Sequence, residues 1–121
     1  MRDKISIVVP CKDEEACVNL FYDEIVKVFA DMPTEYELVF VDDGSTDKTL
    51  ELFRALAKKD PCVKYVSLSR NFGKEGAMYA GLKHATGDFV GIMDADLQDP
   101  PALLPKMYRI LQEEDYDCVG S

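Results

Sequence analysis

Asp94, Asp96 and Asp99 fall within six residues of the stretch GIMDADLQDPP (91–101), directly behind an apolar run and directly before two prolines. In an extended segment, positions i, i+2 and i+4 point to one side. Asp94, Asp96 and Gln98 therefore share a side, whereas Asp99 falls off it and suits the cap of the turn before Pro100 and Pro101. Three oxygen donors on one side suit a hard cation such as Mg²⁺ or Mn²⁺, and Mg²⁺ characteristically binds through one or two carboxylates together with substrate phosphates. The chemistry expected here is a metal that joins the protein to a diphosphate.

Two other aspartate motifs do not fit. An EF-hand loop needs Gly at its sixth position and Glu at its twelfth, where this chain has Asp99 and Pro105. An aspartyl phosphatase carries its Asp-x-Asp behind the first strand with Thr or Val two residues later; here the motif comes late in the chain, with Gln98 in that place.

A second chemistry-bearing stretch is SRNFGKEGAMYAGL (69–82). It lacks the spacing of a Walker phosphate loop, and it does not follow the first strand as a dinucleotide fingerprint would. Its Arg70 and Lys74, with the amides around Gly73, are nevertheless basic groups among acidic neighbours, suited to a diphosphate or a nucleotide base. His84, the single histidine, is expected on the last turn of a helix rather than in catalysis. Cys11, Cys17, Cys62 and Cys118 are scattered without a Cys-x-x-Cys pair and read as buried structural thiols.

The elements that must position these residues alternate. Apolar runs of strand length occur at 5–10, 36–42, 63–69 and 89–94. Between them, Val18, Phe21, Tyr22, Ile25, Val28 and Phe29 mark one helical face, and Leu50, Phe53 and Ala57 a second. Ser45 or Thr46 is expected to cap the second helix, with Asp47 in its first turn. A third helix is expected over 74–85, closed by Gly87, and a fourth from Pro101 to about residue 114. The final residues, DYDCVGS, read as the opening of a fifth strand, so the chain is expected to be the N-terminal, ligand-binding part (1–121) of a longer domain.

Repeated strand–helix–strand units predict an α/β, doubly wound, mostly parallel sheet with helices on both faces. In such a sheet ligands bind outside the carboxyl ends of the strands. Lys12, Asp13, Glu14 and Glu15, then Asp42 and Asp43, then Arg70 and Lys74, then Asp94, Asp96 and Gln98 should converge on that rim. Carboxylates crowded together raise one another's pKa unless a cation or hydrogen-bond donors compensate, so the rim is expected to take a ligand.

The totals are compatible with this. The chain has 121 residues, enough for one core, with a formal charge of −9, which disfavours nucleic acid and anionic lipid as general partners. No apolar run approaches the roughly 18 residues of a membrane span, and the first ten residues do not resemble a signal peptide, so the chain itself is expected to be cytoplasmic. Nothing in the sequence fixes an oligomeric state.

Taken in order, ISIVVPCKDEE, VFVDDGSTDKT, LSRNFGKEGAMYAGL and GDFVGIMDADLQDPP resemble the inverting family 2 nucleotide-sugar glycosyltransferases of GT-A fold, and most of all the branch that glycosylates polyprenyl or dolichol phosphates. The resemblance implies that Pro10 and Glu14 hold the nucleoside and that Asp42 contacts the base or ribose. Arg70, Gly73 and Lys74 would lie along the nucleotide and diphosphate, with Asp94, Asp96 and Gln98 on a divalent ion. It also implies a nucleoside-diphosphate sugar as donor, a polyprenyl phosphate or a saccharide as acceptor, and a role in building the cell envelope. Any general base, the acceptor-binding half and any membrane anchor would lie beyond residue 121, the longer protein working at the cytoplasmic face of a membrane. At Asp13 the family commonly has Asn. The competing readings are a metal-dependent nucleotide hydrolase and a receiver-like binding domain; the latter needs a phosphoacceptor Asp behind its third strand, where this chain has SRNFG.

Overall fold

The computed structural model describes residues 3–95 and 118–120. Five strands and three helices alternate: β1 (Lys4–Cys11), α1 (Val18–Ala30), β2 (Glu35–Asp42), α2 (Thr49–Lys59), β3 (Val63–Ser67), α3 (Gly73–His84), β4 (Phe89–Ile92) and β5 (Cys118–Gly120). The strands form one sheet in the order β3-β2-β1-β4-β5, and every pairing is parallel. The expected doubly wound α/β class is therefore the observed one, the fifth strand included. The fourth expected helix, Asp96 and Gln98 lie outside the described residues.

The strand order explains the layering. From β1 to β3 the chain steps one way across the sheet, and right-handed crossovers place α1 and α2 on the same face. The step from β3 back to β4 runs the other way, so α3 covers the opposite face. Alternation along the strands fills both sides. Ile5, Ile7, Val9, Leu38 and Phe40 join Phe21, Ile25 and Phe53 under α1 and α2, while Val8, Val39 and Val41 meet Ala77 under α3. The Phe40 and Phe53 rings stack at 4.6 Å, and Phe21 meets Phe40 edge-on at 6.2 Å. α3 packs through small residues: a Cβ on Gly81 would run into Val8 and Val41.

Two expected helix boundaries differ for identifiable reasons. α2 begins at Thr49, and neither Ser45 nor Thr46 caps it; Asp47 accepts the Thr49 N–H at 2.9 Å instead. α3 ends at His84 without a left-handed closing residue. Gly87 is small for another reason, because a Cβ there would lie 2.8 Å from the Lys4 carbonyl oxygen and 2.6 Å from Ser6 Oγ.

At the amino edge of the sheet, Glu37 is buried among donors. Ser6 Oγ donates to it at 2.6 Å, the Thr86 amide at 2.9 Å, and Lys64 and Lys4 pair with it. Burial alone would push its carboxyl up, but the hydrogen bonds from Lys64, Ser6 and Thr86 together outweigh that and hold it at about 2.

Candidate functional site

Beyond the carboxyl ends of β1 and β4, where the strand order reverses, lies a cleft of about 340 Å³. That is where ligands of doubly wound sheets bind, and the size suits a small molecule. Pro10, Cys11, Lys12 and Glu14 line it from the end of β1, Asp43 from β2, Asn71, Gly73, Lys74 and Ala77 from the loop before α3 and from α3 itself, and Asp94 from beyond β4. A cleft of about 400 Å³ also exists at the opposite edge, beside Glu37. Its lysines, Lys4 and Lys64, are both already paired with that carboxylate.

The segment DDGSTDKT (42–49) organises the cleft walls. Three successive amides of the loop after β1 donate to its side chains: Asp13 N–H to Ser45 Oγ at 2.9 Å, Glu14 N–H to Thr49 Oγ1 at 3.0 Å, and Glu15 N–H to Asp47 Oδ2 at 3.2 Å. In return Asp13 Oδ1 accepts the Thr46 N–H at 2.7 Å. Asp13 has φ 53°, in the left-handed region that Asp and Asn tolerate best among residues with a side chain, so either acid or amide serves there. Slight burial would raise the Asp47 carboxyl, but hydrogen bonds from Thr49 and Glu15 outweigh it and hold it below the usual range.

The same segment fixes the second wall. Asp43 Oδ1 accepts the Phe72 N–H at 2.7 Å, and Gly44, with φ 76°, lets the Arg70–Asn71 backbone pass where a Cβ would stand 2.8 Å from Asn71 N. Much of the rim's negative charge is thus already engaged in holding loops. Among the described residues no three His, Cys, Asp or Glu side chains are grouped as a metal site.

Of the residues singled out from the sequence, the structure brings Pro10, Glu14, Gly73, Lys74 and Asp94 together around the cleft. It does not bring in two others. Asp42 is 3% exposed and its Oδ1 accepts the Ser45 N–H at 2.9 Å, so it closes a turn on the α1/α2 side. Arg70 lies with its guanidinium 4.8 Å from the centre of the Phe72 ring and does not line the cleft. The carboxylate that β2 presents to the cleft is Asp43. Strand parity could have found it: Val39 and Val41 face α3, and position 43 continues that side.

At the mouth of the cleft Lys74 Nζ lies 3.1 Å from Asp94 Oδ1 and 3.3 Å from Oδ2. On the floor is Cys11, 3% exposed. Burial, then the charges of Glu14, Asp42 and Asp94, push its thiol far above the usual range, so it stays neutral and is no nucleophile. The oxygen donors that the cleft lining offers to a cation are the carboxylates of Glu14, Asp43 and Asp94.

An open parallel α/β sheet with a charged cleft at its switch point defines a ligand-binding domain of the nucleotide-binding architectural class. The profile of glycosyl transferase family 2 matches residues 6–121, and the chain belongs to that family. It is 49% identical over 105 residues to the bactoprenol glucosyl transferase of Shigella phage SfX, covering 86% of this chain and 34% of that protein. It is 48% identical, over the same shares, to the prophage bactoprenol glucosyl transferase homolog of Escherichia coli strain K12. The chain thus spans about a third of the length of these relatives. Among solved structures, a mannosyltransferase from Pyrobaculum calidifontis in complex with GDP-Man and Mn²⁺ superposes with a TM-score of 0.78 at 30% identity, over 92% of this chain and 33% of that one. Glucosyl-3-phosphoglycerate synthase from Mycobacterium tuberculosis, in complex with Mn²⁺, UDP and glucosyl-3-phosphoglycerate, gives 0.69 at 32% identity, over 90% of this chain and 39% of that one.

Proposed function

We propose that this chain is the donor-binding part of a glycosyl transferase that moves a sugar from a nucleoside-diphosphate sugar to a polyprenyl phosphate, inverting the anomeric carbon. The observation that carries the reading is the cleft itself: in a family 2 chain, Lys74 and Asp94 meet across its mouth, with Glu14 and Asp43 on its walls. The relatives named bactoprenol glucosyl transferases support the lipid phosphate as acceptor, and the neighbours solved with GDP-Man or UDP support the donor class.

In this reading Pro10 and Glu14 flank the nucleoside, Asp43 holds the loop that covers it, and Lys74 with the Gly73 amide meets the diphosphate. Asp94 would hold a divalent ion, together with Asp96 and Gln98. The available donors fit: the carboxylates of Glu14, Asp43 and Asp94 are hard oxygen ligands, the kind that Mg²⁺ and Mn²⁺ take. When bound, such an ion stabilises the charge that develops on the leaving nucleoside diphosphate. A phosphate acceptor is already ionised, so the chain's residues are needed to bind and orient the donor rather than to remove a proton. The setting proposed is the cytoplasmic face of a membrane, in assembly of the cell envelope.

The test uses the full-length protein with a panel of UDP- and GDP-sugars, polyprenyl phosphate and Mg²⁺ or Mn²⁺. A sugar-linked polyprenyl phosphate is the expected product. Release of inorganic phosphate without any glycolipid would replace the reading with a nucleotide hydrolase, and transfer to a saccharide alone would replace the acceptor.

A further inference from the structure

We propose that Lys74 is an internal counter-ion that couples the two ligands of the cleft, holding Asp94 until a cation and a diphosphate arrive together. The inference rests on the donor-site reading above and goes beyond it in naming what joins metal and nucleotide binding.

The placement of Lys74 is unusual for its helix. It sits in the first turn of α3, where the helix dipole is positive and a cation is disfavoured; Glu75 beside it is the residue type that this position favours. Its partner lies twenty residues away, in the segment just beyond β4, and both Asp94 oxygens fall within 3.3 Å of Nζ. The ammonium therefore spans both oxygens of Asp94 and competes with any divalent ion for them. The contact is exposed enough to exchange, since the Lys74 side chain is 60% exposed and that of Asp94 29%.

A metal that binds Asp94 displaces the ammonium, which is then left on a flexible stem at the cleft mouth without its anion. A diphosphate supplies a replacement anion at that place. Each ligand thus removes the obstacle to the other, and the coupling is reciprocal: nucleotide raises metal affinity by the factor by which metal raises nucleotide affinity. Lys12 also lines the cleft but makes no ion pair with Asp94, so it carries charge there without blocking that carboxylate.

The experiment titrates the 121-residue chain with Mn²⁺ and reads free Mn²⁺ by electron paramagnetic resonance, with and without UDP or GDP, for wild type, Lys74→Met and Lys12→Met. Without nucleotide, Lys74→Met is expected to bind Mn²⁺ roughly three- to fivefold more tightly than wild type, the size of an exposed ion pair. Nucleotide should then enhance its metal affinity by a smaller factor than in wild type. Lys12→Met should change the nucleotide-free affinity much less. If wild type binds nucleotide but Lys74→Met shows no tightening, or Lys12→Met tightens equally, the coupling role is wrong and the donor site stands. If wild type binds neither UDP nor GDP at any metal concentration, the donor-site reading fails and the coupling falls with it.

Discussion

Asp43 and Phe72 are joined by a 2.7 Å hydrogen bond from the Phe72 amide to Asp43 Oδ1, which ties the end of β2 to the loop that leads into α3. One carboxylate therefore does two things, lining the cleft and fixing the segment that delivers Gly73 and Lys74 to it. Replacing it with alanine strands a part-buried amide. Asp43→Ala is expected to lose about 1–2 kcal/mol in urea unfolding and to weaken nucleoside-diphosphate binding. Asp42→Ala, by contrast, should weaken binding much less than it weakens stability, because Asp42 closes a turn and does not line the cleft. Equal loss of nucleotide affinity in the two variants would contradict this division.

The left-handed backbone at Asp13 makes a second, separable prediction. Asp13→Asn keeps both the tolerance for φ 53° and an oxygen for the Thr46 amide, so its stability should fall within about 0.5 kcal/mol of wild type. Asp13→Ala loses both and should cost about 2 kcal/mol in the same measurement. If alanine were as well tolerated as asparagine, the loop-to-loop zipper would not be what holds this wall.

Glu37 sets a pH dependence far from the cleft. Its carboxyl is held at about 2 in the fold against an ordinary value of 4.5, so the folded state binds the proton less well than the unfolded chain. The stabilisation is fully present above about pH 4.5 and is lost as the pH falls through about 2. Integrated over that window it amounts to about 3 kcal/mol. Denaturant unfolding at a series of pH values should show this slope in wild type, and Glu37→Gln should flatten it. An unchanged slope in Glu37→Gln would assign the acid sensitivity to other carboxylates.

The sheet was legible in the sequence because the central strands β1 and β2, buried on both faces, read as near-continuous apolar runs at 5–10 and 38–41, while the edge strand β3 is still marked by Val63, Tyr65 and Val66. The helix ends were less so. Ser45 has the composition of a cap, yet it accepts from the Asp13 amide in the loop after β1, a partner thirty-two residues away that no local pattern reveals. Gly87 has the composition of a helix stop, yet its lack of a side chain answers the β1 backbone. For the site, motif position pointed to Pro10, Glu14, Gly73, Lys74 and Asp94, which share one cleft lining in the fold. It placed both Asp42 and Asp43 on the rim, and only the fold separates them, because adjacent residues of a strand point to opposite faces and Asp43 is the one that lines the cleft. Arg70 was drawn away by a neighbouring ring, which is a tertiary contact rather than a property of the motif.

The central claim is that the cleft between β1 and β4 takes a nucleoside diphosphate together with a divalent ion. Thermal unfolding of the chain with UDP and with GDP, each with and without Mn²⁺, tests it most directly, since a ligand of the native state raises the midpoint. The account predicts a rise with at least one nucleotide that is larger when Mn²⁺ is present, and loss of the metal-dependent part in Asp94→Asn. An unchanged midpoint with both nucleotides, with or without metal, would contradict it.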